Sequence, residues 1–345
     1  MSRAMHPQIQ YTMPAEWAPQ ESIWMAWPSH EDLWQENLKP TQKEFTDLCK
    51  MIGAAGTTIE LACLNEERML EAQTALSGLE VNFHLLPYGE IWFRDTLPVF
   101  KTSSNGGLQK SRFHFNGWGE KYMLPGDERI GDLVSDLSPG DTKVYDWVLE
   151  GGSVEVDGNG LLLTSRQCLL NPNRNPTLNE TQIEARLRSD IGAEKILWLN
   201  DGLINDHTDG HIDTMARFVA PGEVALMSPL GKSDPNYEIL TQMHQDLSAM
   251  TDLQNRPLKI HTVPSVGELL DEEGELMPAS YMNFLITNGK VIVPIYGNAQ
   301  DQEAVQALKT IFPRHQVHGL MAKSILTGGG AFHCITQQIP KRVNV

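Results

Sequence analysis

The chain has 345 residues, of which 41% are hydrophobic, and its 44 acidic and 27 basic side chains give a net charge of −17 at pH 7. This acidic balance argues against nucleic acid as a partner, because phosphate binding needs a basic surface. An acidic field of this size favours the capture of small cationic ligands.

No membrane span is predicted, because no stretch approaches the roughly 18 apolar residues that a spanning helix needs. The first seven residues contain no apolar signal region. None of the four cysteines forms a CxxC pair, so free thiols are expected rather than a disulfide framework. These features predict a cytoplasmic protein without a membrane partner.

Short apolar runs separated by Gly, Asn and Asp turns are the regular feature of the chain. Four segments combine a polar start, an apolar run, a tight turn and a second run, and the last three have turns at 157–160, 221–222 and 288–289. These segments begin at residues 92, 152, 210 and 280. Helical patterns are found at residues 41–54, 179–191, 236–250 and 301–311. A hairpin-plus-helix unit thus recurs at about 60 to 70 residues, which predicts a mixed α/β fold of about five radial or stacked units.

Five short segments place reactive side chains beside glycine or a turn, at residues 92–95, 150–153, 206–213, 278–280 and 328–334. Cys334 follows three glycines. Glycine destabilises the interior of a strand or helix, so this run is better explained by a functional site. A thiol needs a nearby cation or base to become a strong nucleophile at neutral pH. His211 is the preferred partner, since His333 would point to the opposite face of an extended strand.

Carboxylates accompany these residues. In an extended segment, His211 and Asp213 would share one face. Asp95 lies in an apolar context and must be paired, with Arg94 or another core arginine as the structural alternative. Glu150 precedes two glycines and would also be partly buried, either in the site or as a turn carboxylate.

Together, one Cys, one His and two or three half-buried carboxylates form a consistent set. The carboxylates would destabilise one another unless a cation lay between them. A planar cation with several N–H donors suits two carboxylates best, which describes a guanidinium group. The thiolate would then attack the guanidinium carbon.

The motifs Trp92-Phe-Arg-Asp95, Glu150-Gly-Gly-Ser, Gly210-His-Ile-Asp213 and Gly-Gly-Gly-x-x-His-Cys334 resemble those of the agmatine deiminases and bacterial peptidyl-arginine deiminase-like proteins. The match runs from about residue 13 to 340 in the family's order. It implies a single domain over residues 1–345 with the pentein fold, a five-bladed α/β propeller with pseudo-fivefold symmetry. It also implies a hydrolase without a metal or other cofactor.

The resemblance implies a role for each matching residue. Cys334 would form a covalent amidino intermediate. The other implied roles are guanidinium binding by Asp95 and Asp213, general acid/base catalysis by His211, pairing with that histidine and the substrate by Glu150, and lining of the substrate slot by Trp92. The implied reaction converts agmatine to N-carbamoylputrescine and ammonia, a step of polyamine biosynthesis.

Three departures from the family pattern occur, at Leu97, at Ala331-Phe332 and in the segment 205–211. The third bears on the far end of the substrate. An acidic residue there would suit the primary amine of agmatine, and Asp206 is the candidate, although His207 weakens it.

Alternative functions remain open from the sequence. The substrate could be peptidyl or free arginine, whose carboxylate would need Arg94, Arg174 or Arg217 as its partner. A metallohydrolase could use His207 and His211, four residues apart, although Gly210 argues against a helix there. The fold could also carry a non-catalytic binding protein. The oligomeric state is not given by the sequence, and a homodimer is one option.

Overall fold

The computed structural model describes residues 10–342. The predicted absence of an apolar leader falls on residues 1–7 and therefore lies outside the described residues. In the described part, no helix has the length and apolar character to cross a membrane. All four cysteines are buried and unbridged, which confirms the expectation of free thiols.

Within residues 10–342, the strands form five sheets of three or four strands each. The strands are β1 (Tyr11–Thr12), β2 (Gln20–Ala26), β3 (Thr58–Cys63), β4 (Val81–Leu85), β5 (Val99–Ser103), β6 (Leu108–His114), β7 (Asp141–Val148), β8 (Glu155–Val156), β9 (Leu161–Ser165), β10 (Lys195–Leu199), β11 (Ala216–Ala220), β12 (Glu223–Ser228), β13 (Lys259–Pro264), β14 (Leu285–Thr287), β15 (Lys290–Ile295), β16 (Gln316–Met321) and β17 (Gln337–Pro340).

Short and long helices alternate with these strands. The α-helices are α1 (Glu31–Trp34), α2 (Leu38–Gly53), α3 (Glu66–Ala75), α4 (Phe93–Thr96), α5 (Gly117–Glu120), α6 (Asp127–Leu137), α7 (Arg166–Leu169), α8 (Glu180–Arg186), α9 (Ile212–Met215), α10 (Tyr237–Ala249), α11 (Asp301–Ile311) and α12 (Lys323–Leu326). Single 3₁₀ turns occur at Gln35–Asn37 and Gly151–Ser153, and a π-helical turn at Leu187–Ile191 extends α8.

The sheets share one design, in which an antiparallel pair is followed by a helix and a parallel third strand. The sets β5–β6–β7, β8–β9–β10, β11–β12–β13 and β14–β15–β16 follow it, with α6, α8, α10 and α11 before the third strand. The three hairpin turns assigned from sequence are confirmed, as is the hairpin of the first segment. The repeating hairpin-plus-helix unit is therefore present in the structure.

The fifth sheet joins residues that are far apart in sequence. Strand β17 pairs antiparallel with β2, and β3 and β4 continue the sheet in parallel. Helix α2 precedes β3, so this sheet repeats the design of the other four with its first strand supplied from residues 337–340. A single sequence gives no local sign of this long-range pairing.

The four predicted helices are present with small shifts in their ends. Phe45, Leu48, Cys49 and Ile52, expected on the inner face of α2, are all fully buried. Helix α8 begins where Asn179 and Gln182 form a reciprocal capping box, which satisfies two backbone N–H groups that the helix itself cannot. Helix α6 was not predicted.

The polar starts of the hairpin segments are not extended, contrary to the expectation for residues 210–213. His211 precedes the one-turn helix α9, which contains Asp213. Asp95 likewise lies in α4, and Cys334 lies in a turn rather than a strand. The i, i+2 rule for strands therefore does not explain why these side chains meet.

A buried ion network ties the segment after β1 to the middle of the fold. The fully buried guanidinium of Arg217 pairs with Glu16 and with Glu155, whose Oε2 is 3.0 Å from Nε. Its Nη1 also donates to the backbone carbonyls of Met282 and Phe284. Burial opposes ionisation of Glu16, but Arg217, His333 and Arg94 together outweigh burial and lower the pKa of that carboxyl to about 2.

Replacing Arg217 with Met should destabilise the protein by about 3–5 kcal/mol, because two buried carboxylates would lose their counter-charge. Urea unfolding measures this loss. Arg188→Met is the matched control, since its pair with Glu184 is partly exposed and weak. An equal effect in the two variants would contradict the role given to Arg217.

Candidate active site

Each sheet contributes the turn that lies immediately before its first hairpin strand. These turns precede β5, β8, β11, β14 and β17. Their site side chains converge on one buried point, and they are Asp95, Glu150, His211 with Asp213, Asn283, and Cys334. The repeat of the fold thus brings together site residues separated by up to 239 positions, the interval from Asp95 to Cys334.

The thiol of Cys334 is held by two polar neighbours. Asn283 donates from Nδ2 to Sγ at 3.0 Å, and Sγ lies 3.6 Å from Oδ2 of Asp213. Burial and the charges of Asp213 and Asp95 raise the pKa of this thiol well above its ordinary value. The thiol is therefore protonated at neutral pH while the site is empty of ligand.

Asn283 was missed in the sequence analysis. Besides contacting Sγ, its Oδ1 accepts the backbone N–H groups of His333 at 3.1 Å and Cys334 at 3.3 Å. The segment 278–280 was noted, but the side chain that reaches the site lies three residues later. Its signal was positional, since Asn283, like Asp95, lies in the turn that precedes the first strand of its unit.

Asp95 is fully enclosed and accepts hydrogen bonds from two neutral donors. Its Oδ2 accepts the indole N–H of Trp118 at 2.9 Å, and its Oδ1 accepts the backbone N–H of Gly152 at 2.8 Å. Arg94 is not its partner, which corrects the structural alternative. That arginine instead holds the Cys334 turn, donating to the carbonyl of His333 and to Gln337.

Gly152 lies against three of the reactive groups. A Cβ at this position would be 2.6 Å from Nδ1 of His211, 2.9 Å from Oδ1 of Asp95 and 3.1 Å from Oδ2 of Asp213. The first two distances are shorter than real Cβ contacts allow, and the third is tighter than most such contacts. Glycine is required here because the acid groups and the imidazole close around its backbone.

The imidazole of His211 is fully buried, and among residues 10–342 neither ring nitrogen has a hydrogen-bond partner. Nδ1 lies 3.7 Å from Oδ2 of Asp95, close enough for attraction between charges. Burial alone would lower the pKa of His211, but Asp95, Cys168 and Glu150 outweigh it and raise that pKa well above the usual value. The ring is therefore a buried imidazolium with a proton to donate.

His333 lies on the site side of its turn, which corrects the expectation that it points away. Its Nδ1 and Oδ2 of Asp213 share a hydrogen bond of 2.7 Å, and its Nε2 is 3.4 Å from Glu16. Burial opposes ionisation of Asp213, but this bond and the nearby charges lower its pKa to about 2. Because His333 and Cys334 lie in a turn, their side chains do not point to opposite faces as they would in a strand.

Glu150 is fully buried and pairs with Arg174, whose Nε lies 2.6 Å from Oε1. Its second oxygen has no hydrogen-bond partner within the described residues. Arg174 also binds Asp209 at 2.8 Å and the carbonyl of Thr208, so it connects Glu150 to the loop that precedes His211.

A metal at this point would have to be held by Glu150, Cys168 and His211, whose ligand atoms lie within 4.8 Å of one another. That is the group of possible metal ligands found among residues 10–342, and it does not include His207. His207 is exposed and stacks on Tyr122, so the predicted pair of His207 and His211 is not brought together. Arg174 already supplies a positive charge beside Glu150, which disfavours a further cation.

A cavity of about 280 Å³ opens onto Cys334 and Asp95. Trp92 lines it, as expected, together with Trp34, Trp118 and Tyr122. Asp206 is not among the residues that line it, so the cavity gives no support to a contact between that residue and the substrate. Both Asp206 oxygens are occupied within their own loop, by Thr208 and by the backbone N–H of Gly210.

Comparisons with known proteins agree with this geometry. The family described as Porphyromonas-type peptidyl-arginine deiminase matches residues 12–340. The agmatine deiminase of Stutzerimonas stutzeri is 38% identical, over 96% of this chain and 95% of its own length. The structure of Enterococcus faecalis agmatine deiminase superposes with a TM-score of 0.91 at 35% identity, covering 96% of each chain. A substrate-bound Campylobacter jejuni agmatine deiminase gives 0.89 at 28% identity, over 99% of this chain and all of that one.

The raised pKa of Cys334 predicts slow alkylation at neutral pH. The rate of reaction with iodoacetamide in the free protein should still be rising at pH 9, because only the thiolate reacts. Asp213→Asn should move the profile to lower pH, since it removes a charge that raises the thiol pKa. Mass mapping with Cys334→Ser as the control assigns the label, and a rate that levels off below pH 8 would contradict the prediction.

Proposed function

The chain belongs to the Porphyromonas-type peptidyl-arginine deiminase family, and on this basis we propose that it hydrolyses agmatine to N-carbamoylputrescine and ammonia. The observation that carries the proposal is the placement of the Cys334 thiol beside the carboxylates of Asp95 and Asp213 in an aromatic-lined cavity. Two carboxylates and a thiol around one point suit a planar cation with an electrophilic carbon.

The guanidinium would bind between Asp95 and Asp213. Asp95 accepts hydrogen bonds from neutral donors with the His211 imidazolium 3.7 Å away, and Asp213 shares a hydrogen bond with His333, so a bound cation would add positive charge between the two carboxylates. The same cation would lower the pKa of Cys334, because it neutralises the two charges that raise it. Binding would therefore release the thiol proton to solvent and form the nucleophile only when the substrate is present.

The covalent step would join Sγ of Cys334 to the guanidinium carbon and give a tetrahedral adduct. His211, as the buried imidazolium, would donate its proton to one terminal nitrogen. The bond from carbon to that nitrogen would then break, releasing ammonia and leaving an amidino group on sulfur.

Hydrolysis would use the same histidine in its neutral form. His211 would take a proton from water as the water oxygen bonds to the amidino carbon, and the carbon–sulfur bond would then break. The thiolate recovers its proton as the ureido product leaves. The unpartnered oxygen of Glu150 is one of the atoms that could steady the imidazolium through both steps, since Glu150 helps raise the pKa of His211.

Agmatine is favoured over free arginine by the charges of the cavity. No Lys or Arg is among its lining residues in the described part of the chain, so an α-carboxylate would have no cationic partner there. Arg94, Arg174 and Arg217 are buried and already bonded to other groups. The acidic chain as a whole also favours a dication.

We further propose that the five sheets are the blades of the pentein propeller, arranged as one domain around the site. Support comes from the shared strand pattern and from the contribution of one turn by each sheet. Four unbridged thiols suit a reducing compartment, which supports a cytoplasmic location. A homodimer is included in the proposal, and light scattering would test it.

A comparison of ammonia release from agmatine, free arginine and a peptide with internal arginine tests the proposed substrate. Agmatine should be turned over with the highest kcat/KM, and Cys334→Ser should abolish the reaction. Rapid acid quenching of the wild type during turnover should leave an amidino adduct on Cys334, detected by mass spectrometry. No ammonia from agmatine would overturn the proposal, and full activity of Cys334→Ser would overturn its mechanism.

Gly152→Ala should lower kcat/KM by at least about a hundredfold, because its Cβ would displace the imidazole or a carboxylate by a large fraction of an ångström. Gly53→Ala in α2 is the control, since its Cβ would make only ordinary contacts. Thermal unfolding should confirm that both variants fold. Activity within a few-fold of wild type in Gly152→Ala would mean that the groups around Gly152 do not need their observed positions.

A further inference from the structure

We propose that Glu90 determines substrate specificity by receiving the distal ammonium group of an amine-tailed guanidine, in a subsite formed with Trp34. This inference rests on the proposed function, because it concerns the far end of the same substrate. It replaces Asp206, whose oxygens are taken up by its own loop.

Glu90 is a carboxylate that lines the cavity, yet the residue is only 7% exposed. Its Oε1 accepts the indole N–H of Trp34 at 3.2 Å and the backbone N–H of Ile91 at 2.9 Å. In the described part of the chain, no hydrogen bond reaches Oε2, and that atom is not among the fully enclosed unpartnered ones. Oε2 is therefore free to accept a donor that enters the cavity.

In the part of the chain that the structure describes, no cationic side chain is bonded to Glu90, which sets it apart from Glu150 and Glu16. Burial raises the pKa of Glu90 to about 7, and the charges of Asp127 and Asp32 add to this effect. A buried carboxylate in an apolar setting is costly unless a cation pairs with it. An ammonium group from a ligand would supply the missing charge.

A continuous wall leads from the nucleophile to this carboxylate. A Cβ on Gly330 would lie 3.2 Å from Sγ of Cys334 and 2.7 Å from Cζ3 of Trp92. A Cβ on Gly328 would lie 2.7 Å from Cζ2 of the same indole and 2.7 Å from Cη2 of Trp34. Trp34 then bonds Glu90, so two indole rings separate the thiol from the carboxylate.

The two indole rings of this wall suit the aliphatic middle of an amine-tailed guanidine. Trp92 and Trp34 have ring centroids 6.3 Å apart and present apolar surface between two acidic ends. Aliphatic methylenes would pack on the rings, with the guanidinium at Asp95 and the ammonium at Glu90. Aromatic faces also attract a cation directly, which adds to the charge of Glu90.

The same geometry acts against arginine and its peptides. Those substrates place a carboxylate or peptide carbonyl near the position where agmatine has only its amine. The carboxylate or carbonyl oxygen of such a substrate would face the Glu90 oxygen, which is also a hydrogen-bond acceptor, and no donor would lie between them. Rejection by an unpaired acceptor is stronger than rejection by size alone.

The test compares agmatine with n-butylguanidine, which has the same four-carbon chain without the amine. In Glu90→Gln, kcat/KM for agmatine should fall about tenfold to a hundredfold, mainly through KM, as expected for loss of a charged hydrogen bond. For n-butylguanidine, kcat/KM should change less than about threefold. Glu90→Asp should restore part of the preference for agmatine, because it restores the charge.

Asp32→Asn is the matched control, since it removes an exposed carboxylate that adds to the field at Glu90 but does not line the cavity. Its preference for agmatine should stay close to that of wild type. Thermal unfolding checks that Glu90→Gln is folded, and Trp34→Phe, which loses the indole donor, should show a smaller loss of preference in the same direction.

Equal losses for both substrates in Glu90→Gln would overturn the inference, because they would assign Glu90 only to holding Trp34. An unchanged preference would overturn it as well. Wild-type protein that releases ammonia from neither substrate would instead contradict the proposed function, so the two failures are distinguishable.

Discussion

Buried negative charge around a single thiol is the constraint on which this structure depends. Asp95, Asp213 and Glu150 are enclosed together with Cys334, and each must be compensated or it would oppose folding. Each has a different solution, since Asp95 takes neutral N–H donors, Asp213 takes His333 and Glu150 takes Arg174. These partners compensate the buried charges well enough for a stable fold. The pKa of the Cys334 thiol and the pKa of His211 nevertheless stay well above their usual values. The charge that would bring the thiol into its reactive form is left for a ligand to supply.

The repeated fold explains how such a site can be built. In every unit, the chain makes a turn before its first hairpin strand, and these turns come from five different sheets. No single turn holds all the reactive groups, so the positions of the groups depend on packing between units. Gly152 and Gly330 allow the turns to approach so closely that a Cβ would collide with a reactive side chain. The glycines are therefore part of the site even though they carry no chemistry.

Much of the site was predictable from sequence, and the exceptions have physical causes. Cys334, His211, Asp95, Asp213 and Glu150 stand beside glycines or in apolar runs, and the structure places them together. The reasoning from extended segments was wrong for Asp213 and His333, because short helical turns replace strands there. Asn283 and Glu90 were missed, since their importance comes from contacts with Cys334 and Trp34 that are 51 and 56 residues away. The fold was predictable as a repeat, but the long-range strand pair of β17 and β2 was not.

That strand pair has a consequence for the order in which the protein matures. During synthesis, β2 emerges early and must wait for β17, which follows the nucleophile in the chain. Until the ribosome has made the chain through Pro340, the fifth sheet lacks its first strand and Cys334 has no fixed turn. Contacts between distant segments form slowly because loop closure precedes them. The turn that carries Cys334 can therefore take its place beside the carboxylates only after the rest of the site has been synthesised.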